Sequence, residues 1–215
     1  MNPQPHWPGA LPLVAILRGI RPEEAAAHAR AVFDAGFDCI EVPTNSPDWP
    51  ASLRHIRALA PPGALLGAGT VLDASHLDAL QAAGGQLAVS PHVDTALITD
   101  TVRRGLMAVP GAMTASEVFA AWRTGARAVK LFPAATLGPG HVRALCAVLP
   151  PELPLLAVGG VTVDNLADYL RAGCLGAGLG GELYRPGQSP ADTAQRAAAF
   201  VAAYRTASAA PKAQA

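Results

Sequence analysis

Short runs rich in Val, Ile and Leu alternate along the chain with longer Ala-rich stretches whose apolar residues recur at helical spacing. Such alternation is the mark of repeated βα units around a parallel sheet. Strands are predicted at Leu13–Leu17, Asp38–Val42, Ala64–Ala68, Leu87–Ser90, Met107–Val109, Ala128–Leu131, Leu155–Val158 and Leu175–Leu179. Most are separated by roughly 20 to 25 residues, enough for a loop, a helix and a second loop. The pattern predicts an α/β fold, a single-domain (β/α)8 TIM barrel.

Local signals agree with this segmentation. Pro22 sits at a first-turn position, Thr114-Ala-Ser-Glu117 reads as a capping box, and Ser189 precedes the helix-opening Pro190. Gly36, Gly84, Gly105, Gly125 and Gly173 each stand where a helix should stop before the next strand. The domain is expected over 11–205, with an N-terminal extension at 1–10 and a small, polar, disordered tail at 206–215.

Composition narrows the function. In 215 residues, 51% hydrophobic and 15% charged, Lys plus Arg equals Asp plus Glu at 16 each. A chain so apolar folds around a core, and without net positive charge it offers no stripe for nucleic acid or an anionic membrane surface. A ligand carrying a single phosphate remains compatible. Cys39, Cys146 and Cys174, odd in number and set in apolar stretches, read as reduced core thiols of a cytoplasmic protein. The start of the chain lacks the basic residues of a secretory signal, and no apolar run approaches the roughly 20 residues of a membrane helix.

In such a barrel, reactive side chains gather at the C-terminal strand ends, so polar residues interrupting apolar strands are informative. Lys130, in Ala128-Val-Lys-Leu-Phe132, alternates with Val129 and Leu131 and should point into the barrel. Desolvation would lower its pKa and make it a nucleophile toward a carbonyl; a structural pairing with a carboxylate is the alternative. Glu41, in Cys39-Ile-Glu-Val-Pro43, takes the equivalent inward position on the second predicted strand. It could move protons for the lysine or simply pair with it. Arg18 ends the first predicted strand and Thr70 follows the third in Gly67-Ala-Gly-Thr70, suited to a carboxylate and a substrate oxygen respectively. Gly159-Gly160 and Gly180-Gly181 follow the seventh and eighth, where barrels often bind phosphate through backbone amides.

Other motifs yield less. Gly176-Ala-Gly-Leu-Gly-Gly181 matches a dinucleotide pattern but lies late in the chain, with no acidic residue about 20 positions on. None of the six histidines forms a metal-binding pair, so no metal is called for, and His92 is expected at the barrel rim.

Taken together, Leu17-Arg18-Gly19, Ile40-Glu41-Val42, Gly67-Ala-Gly-Thr70, Val129-Lys130-Leu131-Phe132-Pro133 and Val158-Gly-Gly-Val161 resemble the class I aldolases that cleave 2-keto-3-deoxy-6-phosphosugar acids. The resemblance runs from about Leu11 to Arg205. It implies a homotrimer of barrels, without cofactor, acting on a phosphorylated keto-deoxy sugar acid and releasing pyruvate. It also implies that Lys130 forms the Schiff base, Glu41 moves protons, and Arg18 and Thr70 hold the pyruvyl carboxylate region. Gly159, Gly160, Gly180 and Gly181 would take the phosphate. Pro43-Thr-Asn-Ser-Pro47 and Gly187-Gln188 resemble the galactonate branch, whereas the gluconate branch tends to carry Thr-Leu-Arg-Thr after the glutamate. Gly181 stands where many relatives have a serine, which removes a hydroxyl donor to phosphate. A gluconate-type aldolase, a phosphosugar isomerase or epimerase, and a non-catalytic phosphosugar-binding barrel are the competing readings.

Overall fold

The structure is a computed structural model describing residues 7–209. The elements run β1 Leu13–Ile16, α1 Pro22–Asp34, β2 Cys39–Pro43, α2 Trp49–Arg57, β3 Leu65–Gly69, α3 Ala74–Ala82, β4 Leu87–Val89 and α4 Thr95–Arg103. They continue with β5 Met107–Val109, β6 Gly111–Ala112, α5 Ala115–Arg123, β7 Val129–Leu131, α6 Ala134–Cys146, β8 Leu155–Val158, α7 Leu166–Ala172, β9 Gly176–Leu179 and α8 Pro190–Ala209. All strand pairings are parallel, in the order β5-β4-β3-β2-β1-β9-β8-β7-β6. This is the α/β TIM-type barrel that the alternation predicts.

The predicted fifth strand is split. β5 and β6 are the two ends of the sheet order, yet Pro110 alone separates them. Proline has no N–H to extend the ladder with β4, while its carbonyl accepts from Lys130 N at 2.9 Å and carries the chain over to β7. One strand position, divided between two neighbours, thus closes the sheet on itself.

Strand alternation divides the core into two layers. Ala15, Ile40, Val42, Val129, Leu131 and Ala157 pack outward under the helices. Val14, Ile16, Leu87, Val89, Leu156 and Val158 fill the barrel. Trp7, within the expected N-terminal extension, belongs to this inner cluster and is only 7% exposed, whereas Pro8 and Ala10 are exposed. Asp38 Oδ2 secures this segment, accepting from Leu11 N at 3.2 Å and from Ala10 N. Trp7→Ala should therefore destabilise the protein by about 3–5 kcal/mol, as for other buried Trp truncations. Urea denaturation checks this, and a loss below about 1 kcal/mol would mean that the indole is no plug.

The helix signals hold. Thr114 and Glu117 form a capping box, and Ser189 exchanges hydrogen bonds with Asp192 at the start of α8. Two expectations shift. α8 runs to Ala209, because Thr206-Ala-Ser-Ala209 retains enough helix propensity to continue the preceding turns; the rest of the expected tail, 210–215, lies outside the described residues. Cys146 is exposed, unlike Cys39 and Cys174, since Val142 and Leu145 take the buried stripe of α6.

Candidate active site

Lys130 lies in the barrel interior, as alternation predicts, and is only 7% exposed. Its neighbours on β7, Val129 and Leu131, are fully buried in the outer layer. Glu41, 2% exposed, enters the same cavity from β2 together with Val14, Leu87 and Val158. With β5 and β6 counted as one strand position, β2 and β7 are the second and sixth of eight, so the two charges face each other across the barrel.

Small residues make the room. A Cβ on Gly69 would fall 1.9 Å from Glu41 Oε2, and one on Gly111 would lie 3.1 Å from Lys130 Cε. The sequence places glycine where each charged side chain crosses a neighbouring strand.

Both groups are electrostatically displaced. Burial pushes the Glu41 carboxyl up to about 7, against the pull of Lys130 and Arg18 toward the charged form. Burial brings the Lys130 amine down to about 8, opposed by Glu41 and assisted by Arg18. Among the described residues no ion pair joins the two, and Glu41 Oε2 is buried without a hydrogen-bond partner. A carboxylate kept for structure would be closed onto its partner; an open acceptor in an apolar cavity is available to a reacting molecule. Phe132, whose ring centroid lies 5.1 Å from Lys130 Nζ, provides a π face over the amine.

Arg18 and Thr70 meet above this pair. Arg18 Nη1 donates to Asn45 Oδ1 at 2.7 Å and to Thr70 Oγ1 at 3.4 Å. Thr70 has φ +55°, strained for a β-branched residue, and Thr44 Oγ1 donates to its carbonyl at 2.7 Å. That strain sets the hydroxyl beside the guanidinium. A planar cation and a hydroxyl at the lip of an apolar well suit a carboxylate next to a reacting carbonyl.

The two glycine pairs differ in origin. Gly159 and Gly160 have φ +93° and +76°, and a Cβ on Gly160 would lie 2.5 Å from that of Ala135. Conformation and packing account for them. Gly180 and Gly181 have no such reason: a Cβ on Gly180 meets nothing within 4 Å, and one on Gly181 meets only Arg185 Nε, at 3.9 Å. Both border open space, and Gly180 opens the turn after β9, where its carbonyl accepts from Leu183 N and Tyr184 N at 2.8 and 2.9 Å. In the dinucleotide-like motif, Gly176 and Gly178 lie within β9, tightly packed against Pro12, Val158 and Ile16, which leaves that pattern a packing feature.

His92 is exposed on the loop between β4 and α4, a rim position, where its carbonyl accepts from Ser90 Oγ at 2.7 Å. Asn45 and Phe132 are the contributors that residue chemistry alone had not singled out. Asn45 carries one signal, a polar residue between Pro43 and Pro47 directly after the strand that holds Glu41.

A family model described as KDPG and KHG aldolase matches residues 9–195. The chain is 52% identical over 201 residues to 2-dehydro-3-deoxy-6-phosphogalactonate aldolase of Escherichia coli, covering 94% of this chain and 98% of that protein. It is 46% identical over 204 residues to a probable 2-dehydro-3-deoxy-6-phosphogalactonate aldolase of Rhizobium meliloti, covering 95% and 96%. The solved native KDPGal structure matches with a TM-score of 0.92 at 52% identity, over 94% of this chain and 98% of that one.

Proposed function

Because this chain belongs to the KDPG and KHG aldolase family, we propose that it is a class I aldolase cleaving 2-dehydro-3-deoxy-6-phospho-D-galactonate to pyruvate and D-glyceraldehyde 3-phosphate, in galactonate or galactose catabolism. The observation that carries the mechanism is the buried Lys130 facing Glu41, whose Oε2 has no hydrogen-bond partner, across an apolar cavity.

Lys130 Nζ attacks the C2 ketone, and loss of water from the carbinolamine gives an iminium. The iminium withdraws electrons as the C3–C4 bond breaks and the C4 hydroxyl loses its proton, releasing the aldehyde and leaving an enamine. Protonation at C3 and hydrolysis then free pyruvate and the amine. Glu41 is the group within this cavity that can accept and return these protons, and Arg18 with Thr70 holds the carboxylate next to C2. Gly159, Gly160, Gly180 and Gly181 offer backbone amides to the phosphate.

An isomerase or epimerase on the same barrel has no use for a desolvated amine, and a binding barrel has no use for an open carboxylate opposite it. The galactonate preference rests on Pro43–Pro47, on Gly187-Gln188 and on the specificity named for the relatives. The homotrimer rests on the family resemblance, and the free thiols favour a reducing, cytoplasmic home.

Incubation with pyruvate followed by borohydride should leave a stable adduct on the peptide containing Lys130, read by mass spectrometry. A folded sample with no adduct, or with one elsewhere, would overturn the mechanism. For the C4 epimers, kcat/KM should be higher for the galactonate substrate; the reverse order would assign the gluconate reaction.

A further inference from the structure

The turn that begins at Gly180 is held from behind by one side chain. Gln188 Oε1 accepts from Arg185 N at 3.0 Å, while Gln188 Nε2 donates to Leu183 O at 2.9 Å and to Thr193 Oγ1 at 2.6 Å. Thr193 is fully buried on α8, and its hydroxyl meets His28 Nδ1 on α1 at 2.8 Å. Burial lowers the His28 pKa and so favours the neutral ring. The His28 ring also packs edge-on against Tyr184, with centroids 4.9 Å apart. Loop 180–188 is therefore coupled through Gln188 to two helices of the outer layer.

We infer that Gln188 is a positioning residue for the phosphate end of the substrate, fixing the turn that presents Gly180 and Gly181. This deepens the proposed function and rests on its reading of those glycines as a phosphate site. An amide suits the role because it carries an acceptor and two donors on one planar group, matched to a backbone N–H, a backbone carbonyl and a hydroxyl. A carboxylate at this position would keep the bond to Arg185 N and set an oxygen against Leu183 O; a thioether would keep the volume and lose all three bonds. Gln188, on the loop leading into α8, does not line the cavity of Lys130 and Glu41, so its loss should weaken capture of phosphate without touching Schiff-base chemistry.

The test compares two reactions of the full-length protein: cleavage of 2-dehydro-3-deoxy-6-phosphogalactonate, and exchange of pyruvate methyl protons in deuterium oxide, which requires no phosphate. Gln188→Met should raise KM for cleavage roughly tenfold with kcat within about twofold, and leave the exchange rate unchanged. Gln188→Glu, which can accept from Arg185 N and from the Thr193 hydroxyl but cannot donate to Leu183 O, should give an intermediate KM and serves as the second variant should Met at this site prevent folding. An unchanged KM in either variant, or a parallel loss of cleavage and exchange, overturns the inference. A wild-type protein that exchanges no pyruvate protons overturns the proposed function itself, an outcome read on the unmutated protein and so distinct from a failure of the Gln188 role.

Discussion

Lys130→Met should lower kcat/KM for aldol cleavage by at least about 10⁴-fold while the protein stays folded, because the covalent route disappears with the amine and no other residue of the cavity can replace it. Methionine matches the length of the lysine stem and suits a cavity lined by Val14, Leu87 and Val158. Removing a desolvated amine should also leave thermal stability equal or higher. The same desolvation explains the activity of the native residue. With its pKa near 8, roughly a tenth of Lys130 is neutral at pH 7, against well under a thousandth for an amine at 10.5. Steady-state kinetics with circular dichroism checks both claims. Residual activity within about a hundredfold of wild type would show that Lys130 is not the nucleophile. The kcat/KM of the native enzyme should be bell-shaped in pH with its maximum between about 7 and 8, since the reactive state needs a neutral amine and a protonated Glu41.

Lys130 and Glu41 were legible in the sequence because each is a charge in an otherwise apolar strand, and a period of two leaves such a side chain only one direction to point. The helix stops were legible for a similar reason: Gly36, Gly84, Gly105, Gly125 and Gly173 all adopt positive φ. What the sequence hid has a different physical origin. Trp7 precedes the first strand and carries no periodic context, and its burial depends on the barrel having closed above it. The split at Pro110 follows from which neighbour each half pairs with, a long-range choice that three apolar residues, Met107-Ala-Val109, do not encode. Asn45 matters through Arg18, 27 residues away, and Gln188 through a turn and two helices. Residues that react announce themselves by violating their local pattern; residues that hold others in place obey theirs.

Glu41→Gln should lower kcat by about 10²–10⁴-fold, the range for removal of a positioned acid–base group, while raising thermal stability at pH 8. In water a carboxyl at 4.5 and an amine at 10.5 lie far apart, and passing the proton from the ammonium to the carboxylate costs about 8 kcal/mol. In this cavity the two values converge to about 7 and about 8, and the same transfer costs about 1–2 kcal/mol. The pair can therefore present a neutral amine and a protonated carboxyl at neutral pH, the state needed to attack a ketone and expel water. Glutamine preserves size and polarity and cannot take the proton. The stability change has the opposite sign. The folded-state pKa of Glu41 lies above its unfolded value, so its cost to stability is absent below pH 4.5, grows between 4.5 and 7, and is complete above 7. Glutamine removes that cost, a gain of about 1–3 kcal/mol at pH 8 that should vanish near pH 4. A change confined to KM, or a lower melting temperature at pH 8, would contradict the role. Activity lost together with stability gained would identify Glu41 as a group retained for proton transfer against its energetic cost to the fold.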